Sequence, residues 1–121
     1  MKRKHLPTTR QGVTHTVTIY SDPDPVVLTI RVGMYPDGQP GELFIDAEKE
    51  GSTLSGLFDC FGIAISLLLQ DGHDLQHLVK KFSHVRFEPA GMTDNPDIPI
   101  AHSIPDYVVR WMADRFEKEE A

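Results

Sequence analysis

The hydrophobic pattern of this chain changes its period near residue 50. Between residues 13 and 35, apolar and polar side chains alternate in the runs VTHTVTIY and VVLTIRVGMY, which predicts two half-buried strands. The turn sequence PDGQPG then predicts an antiparallel hairpin with a third strand at residues 43–45. Further along, apolar positions recur every three or four residues, which indicates helices. We therefore predict a two-layer α+β fold, a three-stranded antiparallel sheet packed by three helices.

The longest apolar segment predicts a helix over residues 53–70, with an N-cap at Ser52 and a stop at Gly72. We expect one face of this helix to form the core. Its members are Leu54, Leu57, Phe58, Phe61, Ala64, Ile65 and Leu68. Ile63 and Leu67 lie on the far side of the same helix. A helix with so few polar positions has to be covered on more than one side.

The rest of this helix surface is a narrow stripe of small and polar residues. The candidate docking stripe consists of Ser55, Asp59, Gly62 and Ser66. Because small side chains allow another backbone to come close, we predict that a protein partner docks there. A membrane-spanning role is not expected, since polar residues interrupt a segment shorter than ~20 apolar residues.

Two further helices are predicted in the C-terminal half. Asp74 is the expected N-cap of one, and Ser103 with Asp106 resembles the capping box of the other. Trp111 is assigned to the buried face of the last helix rather than to a stacking platform. Between these helices, residues 83–102 contain three prolines and little periodicity. This pattern predicts a long ordered loop, and such loops often carry function.

The start of this loop holds the best candidates for an anion or partner contact. They are Lys81, His84, Arg86 and Glu88. The planar guanidinium of Arg86 suits a phosphate or a carboxylate. The alternative is that Arg86 pairs with Glu88 or Asp94 and only orders the loop.

Length and charge narrow the classes of function. The chain has 121 residues and a formal net charge of -6, and four of its twelve basic residues lie in the first ten positions. We predict a basic flexible arm at residues 1–12, a single domain at 13–116 and an acidic tail at 117–121. An acidic body argues against nucleic-acid binding. The N-terminus lacks the apolar stretch of a signal peptide or an anchor, so we expect a cytoplasmic protein that does not bind a membrane.

Cysteine and histidine usage restricts the chemistry further. Cys60 is the only cysteine, which excludes an internal disulfide, a redox pair and a cysteine-rich zinc site. In the middle of an apolar helix, its thiol is expected to behave as a small buried hydrophobe. His73, His77 and His84 are the closest set of histidines, but they lack the spacing and the carboxylate of a recognised metal site. We therefore predict no catalytic, cofactor-binding or metal-binding residue.

Six segments, taken in order, resemble the TSCPD domain, the C-terminal module of adenosylcobalamin-dependent (class II) ribonucleotide reductase. They read GVTH, VGMYPDGQPGELFI, KEGSTLSGL, ISLLLQDG, KKFSHVRFEPAGMTDNPDI and SIPDYVVRWM. Each segment alone is a weak signal, whereas the ordered series is specific. The resemblance extends from about Leu6 to Phe116.

The resemblance implies a full-length enzyme that reduces ribonucleoside diphosphates by a radical mechanism. That enzyme uses adenosylcobalamin, a thiyl radical and cysteine pairs, which a chain with one cysteine does not supply. We therefore expect a stand-alone, non-catalytic module that binds no cofactor and acts as an accessory or regulatory partner in deoxyribonucleotide synthesis. Its partner would be the reductase large chain or a second copy, bound through the docking stripe or residues 81–97. The alternative is a nucleotide- or anion-binding sensor that uses His84 and Arg86.

Overall fold

Five strands form one sheet in the order β3-β2-β1-β4-β5 in this computed structural model, which describes residues 3–48 and 50–116. The strands are β1 (Gly12–Tyr20), β2 (Val26–Met34), β3 (Pro40–Ala47), β4 (Gly91–Thr93) and β5 (Ile100–Ala101). The α+β class is confirmed, but the predicted number of three strands is wrong. The two extra strands come from the proline-containing loop, and they have only three and two residues, too few to show alternation.

The described chain forms two compact units, each built from two stretches of sequence. Unit 1 takes its described residues from Met1–Thr16 and Thr29–Asp74, and unit 2 from Val17–Leu28 and Leu75–Ala121. The sequence predicts one domain because it contains no linker. The chain passes between the units inside β1 and β2, where no change of composition marks the crossing. The predicted acidic tail lies outside the described residues.

Unit 1 contains the predicted hairpin between β2 and β3. The Tyr35 N–H donates to the Gln39 carbonyl at 2.9 Å, and the Gly38 N–H donates to the Tyr35 carbonyl at 2.8 Å. Gly38 has a φ of 87°, a conformation that glycine adopts without steric cost. Tyr35, the residue after β2, is buried. The turn chemistry therefore predicts the hairpin correctly.

Unit 1 also contains α1 (Ser52–Gln70), whose ends agree closely with the predicted ones. The N-cap is Gly51 and makes no side-chain cap bond, so the predicted cap at Ser52 is wrong. Gly72 ends the helix as predicted. Its φ is 87°, and the N–H of the next residue, His73, returns to the Leu68 carbonyl at 2.9 Å.

The described part of the N-terminal arm packs along unit 1 rather than extending into solvent. The Lys4 N–H donates to the Gln70 carbonyl at 2.8 Å, and the Tyr35 hydroxyl donates to the Lys4 carbonyl at 2.6 Å. Arg10 donates two bonds to the Glu42 carboxylate, at 2.6 and 3.1 Å. Partners far along the sequence therefore contact the described residues of this arm.

Unit 2 contains α2 (Leu75–Phe82) and α3 (Ile104–Phe116), and α3 packs against both α2 and β5. Eight of the thirteen residues of α3 are buried, Trp111 among them, as predicted. The Ser103 hydroxyl accepts the Asp106 N–H at 3.1 Å, which is the predicted N-cap bond of this helix. Burial on so many sides makes α3 the central helix of unit 2.

Candidate functional site

In unit 1, α1 contacts β3 through its smallest side chains. A Cβ atom added to Gly62 would lie 2.7 Å from the Leu43 carbonyl oxygen. The Ser66 hydroxyl accepts the Leu43 N–H at 2.8 Å, and the Gln70 amide donates to the Gly41 carbonyl at 2.8 Å. Since β3 is an edge strand of the sheet, these two side chains satisfy backbone groups that have no neighbouring strand.

The backbone that comes close to the predicted docking stripe therefore belongs to the same unit. Gly62 is buried and Ser66 half-buried against β3, while Ser55 is half-buried and Asp59 is exposed. Asp59 also lines an open groove of about 470 Å³ beside β3, together with Phe44 and Ile63. The backbone that approaches this stripe is that of Leu43, so a partner would have to displace β3 to use it.

The predicted core face of α1 is wrong in part, because the helix is rotated about its axis. Phe58 and Ile65 are buried as expected, but Leu57 and Leu68 are exposed. Cys60, predicted to be buried, is exposed as a free thiol. Apolar residues occupy most of the circumference, so their spacing does not orient the helix. The contact with β3 does, because Gly62, unlike Gly56, faces the Leu43 carbonyl at a distance that leaves no room for a side chain.

Length and composition alone would also allow α1 to cross a membrane. It is the one helix among residues 3–48 and 50–116 with this property, and its mean hydropathy is 1.7. A helix packed in a soluble protein can pass the same test. The bonds from Ser66 and Gln70 to β3 give its polar side chains partners inside the protein.

In unit 2, the carboxylate of Asp106 joins three separate segments of chain. Asp106 has no exposed surface. It accepts the His84 N–H at 2.6 Å, the His102 N–H at 3.0 Å and an Arg110 N–H at 3.0 Å. His84 has a φ of 68°, in the left-handed region that non-glycine residues seldom adopt. The buried carboxylate therefore fixes the start of the loop and His102, which lies two residues before α3.

The electrostatics of Asp106 follow from these donors. Burial by itself raises the pKa of the carboxyl, but the backbone bonds from His84 and His102 and the Arg110 guanidinium outweigh it. The net effect is a pKa below the ordinary value for Asp. Arg110 also donates to the Ile100 carbonyl at 2.9 Å. Asp106 is thus a structural anion that stays charged at neutral pH.

The predicted anion-contact residues are only partly together. Arg86 and Glu88 line an open groove of about 420 Å³, which also takes in His102. The ring of His84 lies 5.3 Å from the ring of His102, centroid to centroid. Lys81 is exposed in the last turn of α2 and does not line this groove. The loop thus brings Arg86 and a second imidazole to one surface.

The alternative role for Arg86, an ion pair that orders the loop, is not what the structure has. Within the part of the chain that the structure describes, Arg86 makes no salt bridge with Glu88 or Asp94. Asp94 instead accepts the Thr18 N–H at 3.0 Å. Asp106 orders the start of the loop, and sequence reasoning assigned it only to a capping box. The available signal was an acidic residue in the first turn of a helix whose other residues are largely apolar.

The residues that the structure describes contain no group of three or more His, Cys, Asp or Glu side chains that could hold a metal ion. The neighbouring rings of His84 and His102 offer two imidazole ligands. Zinc sites in proteins use at least three protein ligands, so this pair does not have the composition of such a site.

Comparison with known proteins gives consistent matches. The family model described as TSCPD domain matches residues 1–116. A vitamin B12-dependent ribonucleotide reductase of Rhodopirellula baltica is 49% identical over 115 residues, which cover 95% of this chain and 11% of that protein. The corresponding reductase of Streptomyces avermitilis is 45% identical over 92% of this chain and 11% of its own length. That of Agrobacterium fabrum is 42% identical over 93% of this chain and 9% of its own length.

The chain thus spans about a tenth of the length of these curated relatives. No solved structure gives a significant match. The family model covers nearly every residue of the chain. On these grounds, the chain belongs to the TSCPD domain family.

Proposed function

We propose that this chain is a non-catalytic TSCPD module, an accessory or regulatory partner of a vitamin B12-dependent ribonucleotide reductase in cytoplasmic deoxyribonucleotide synthesis. One observation carries the proposal. The chain is 49% identical over 95% of its length to a segment that makes up only 11% of such a reductase. Because the matching segment is part of the reductase in these relatives, a chain that resembles it is suited to contact the rest of such an enzyme.

The chain's own residues support a non-catalytic role. Its one cysteine, Cys60, lies exposed on a helix and has no second cysteine with which to exchange a disulfide. The groove beside β3 has a volume of about 470 Å³ and the groove beside Arg86 about 420 Å³, at the lower end of the range for drug-sized ligands. A corrinoid is larger than such ligands, so neither groove is suited to enclose it. We assign adenosylcobalamin to the reductase and not to this chain.

The test is direct association with a reductase from which the TSCPD segment has been removed. The tagged chain should retain the truncated reductase in a pull-down, and the full-length reductase should be retained less because its own segment competes. No association at micromolar concentration of either protein contradicts the proposal. An effect of the chain on ribonucleotide reduction by the truncated reductase would distinguish a regulatory partner from a passive one.

A second candidate function, an anion or nucleotide sensor, is favoured by one feature of unit 2. Arg86 lies without an ion-pair partner among the described residues, in a groove that also holds His102. An unpaired guanidinium beside an imidazole is suited to bind a phosphate. The carboxylate of Glu88 lines the same groove and opposes an anion there.

Thermal shift with inorganic pyrophosphate and with ADP tests this second candidate, because a ligand that binds only the folded state raises the melting temperature. Arg86→Ala should abolish the shift. Arg115→Ala is the matched control, since Arg115 is also an exposed arginine of unit 2 and does not line the groove. A shift that persists in Arg86→Ala would place the anion elsewhere.

A further inference from the structure

The side of α1 that faces away from β3 is apolar and exposed. The exposed fractions are 61% for Leu57, 60% for Ile63, 41% for Leu67 and 37% for Leu68. At 100° per residue, Ile63 and Leu67 lie opposite the buried residues of the helix, which are Phe58, Gly62 and Ile65, and Leu57 and Leu68 lie beside them on one flank. We call this side the outer face of α1. It consists of Gly56, Leu57, Cys60, Ile63, Ala64, Leu67 and Leu68.

The outer face has a groove bordered by ridges, the shape of a surface that packs against another helix. Gly56, Cys60 and Ala64 are four residues apart, all exposed, and form a low strip along the helix. Larger side chains border the strip, Ile63 on one side and Leu57 on the other. A ridge of side chains from a second helix packs into a groove of this kind. The surface therefore suits a helix rather than an extended peptide.

The sequence around α1 is acidic, whereas the basic arm meets the last residue of the helix, where the Lys4 N–H donates to the Gln70 carbonyl at 2.8 Å. From residue 46 to residue 74 the sequence contains six acidic residues and one lysine. Glu50 precedes the helix, Asp59 lies at the margin of its outer face and Asp71 follows its last turn. Basic side chains beside an apolar surface would complement this border. A second copy of the chain would instead bring Glu50 close to Asp71 in an antiparallel pair of helices, which is unfavourable.

The size of the outer face also argues against a stable homodimer that is held together by this face alone. A helix of 19 residues is roughly 28 Å long and about 10 Å wide, so its face offers on the order of 300 Å². A stable interface buries about 800 Å² on each partner. In the reductases the matching segment is part of one longer chain, of which it makes up 11% in the Rhodopirellula baltica protein. Covalent linkage raises the effective concentration, so a small interface suffices there.

We propose that the outer face of α1 is the surface that docks the reductase, and that its counterpart is an apolar helix bordered by Lys or Arg. This inference rests on the function proposed above and adds the surface and the chemistry of the partner. As a separate chain, the module binds through this face weakly, reversibly and in a salt-dependent manner. The docking stripe on the opposite side, with Gly62 and Ser66, holds the helix on β3.

Charge substitution on the outer face tests the inference. Leu67→Glu and Ile63→Glu should each weaken binding to the truncated reductase at least tenfold, measured by isothermal titration calorimetry. Gln11→Glu adds the same charge at an exposed position of unit 1 away from α1, and it should leave the affinity unchanged. Asp59→Asn should weaken binding by a few-fold and reduce its dependence on salt, because it removes one partner of the basic border.

Cys60 provides a second measurement that needs no substitution. Its thiol is exposed in the middle of the outer face, so a maleimide should label the free chain. Added reductase should protect Cys60 from labelling, and labelling beforehand with a bulky maleimide should block association. Labelling at an equal rate with and without bound reductase overturns the inference while leaving the proposed function intact.

The remaining outcomes separate the inference from the proposal on which it rests. If the wild-type chain binds and Leu67→Glu binds equally well, the surface is wrong and the accessory function stands. If the wild-type chain does not bind at all, the proposed surface and the accessory function are both contradicted. A dimer in sedimentation that Leu67→Glu dissociates would assign the face to a second copy. Flotation of the wild-type chain with phosphatidylcholine and phosphatidylglycerol vesicles, lost in Leu67→Glu, would assign it to a membrane.

Discussion

The two long helices, α1 in unit 1 and α3 in unit 2, show that the more apolar helix is not the more buried one. Only three of the nineteen residues of α1 are buried, compared with eight of thirteen in α3. α1 is held on β3 through a glycine and a serine, whereas α3 carries a buried carboxylate that bonds two loop segments. Space and hydrogen-bond partners, in addition to hydrophobicity, therefore determine which residues are buried.

The comparison also distinguishes the surface that each helix uses to pack within its unit from the apolar surface that remains exposed. The contact of α1 with β3 uses neutral groups and leaves its apolar outer face exposed. The contacts of α3 leave few of its apolar side chains exposed. A protein partner gains more from covering α1 than from covering α3, because removing apolar surface from water is the main favourable term in association.

The largest effect should come from Asp106→Ala. This change leaves two partly buried N–H donors and the Arg110 guanidinium without their acceptor. We expect the free energy of unfolding to fall by about 3 kcal/mol, the magnitude found for breaking a buried charged network. Urea unfolding followed by circular dichroism measures it. Asp114→Ala, an exposed position on the same helix, is the control and should change stability little. A loss below ~1 kcal/mol for Asp106→Ala would show that the network does not hold unit 2.

Lowering the pH should have a smaller effect through the same residue. The pKa of Asp106 is lower in the folded chain than in the unfolded chain, so the stabilisation is complete above the unfolded carboxyl pKa of about 3.9. It is lost as the pH falls below that value towards the folded pKa. The urea midpoint should therefore decrease between pH 5 and pH 3 more steeply in the wild type than in Asp106→Asn. Equal slopes in the two proteins contradict the assignment.

Gly62→Ala and Gly56→Ala should change stability in opposite directions. A methyl group at Gly62 meets the Leu43 carbonyl at 2.7 Å, so the helix has to move away from β3. The cost of overpacking exceeds the gain in helix propensity, and we expect a net loss of about 1 kcal/mol. No atom lies within 4 Å of a Cβ at Gly56, so there the propensity gain of about 0.5–1 kcal/mol remains. The difference between the two urea midpoints is the measurement. Stabilisation by both substitutions would mean that α1 does not approach β3 closely.

The smallest effect should come from Leu67→Gln on the outer face. Because Leu67 is exposed and α1 is anchored on its other side, we expect a change within about 0.5 kcal/mol. Thermal unfolding measures the change, and Ile65→Gln on the buried side is the comparison that should cost several times more. A large loss in Leu67→Gln would mean that the outer face stabilises the fold itself.

Local signals predict those parts of the fold that depend on local chemistry. Alternation places Val17 and Ile19 on the buried side of β1, and the Pro-Asp-Gly turn specifies the hairpin. Gly72 ends α1 because a left-handed residue is needed where the helix stops. Each of these features depends on residues a few positions apart, which the sequence displays directly.

The candidate surfaces depend on distant residues and were harder to predict. Asp106 bonds to the N–H of His84, 22 residues away, and no periodicity reveals such a pairing. β4 and β5 are recognisable only by their pairing, Gly91 with Ala101 and Met92 with Ile100. The apolar positions of α1 left its orientation open, and the predicted core face was wrong in part for that reason.

The sequence by itself determined the α+β class, most helix and strand positions and the family, because these follow from local periodicity, turn chemistry and an ordered series of motifs. Tertiary structure decided which side of α1 remains exposed. Gly62 and Ser66 can look like a docking stripe or a packing surface, and only the position of Leu43 distinguishes the two. The physical reason is that burial depends on what lies opposite a residue, and the opposite residue is distant in the sequence.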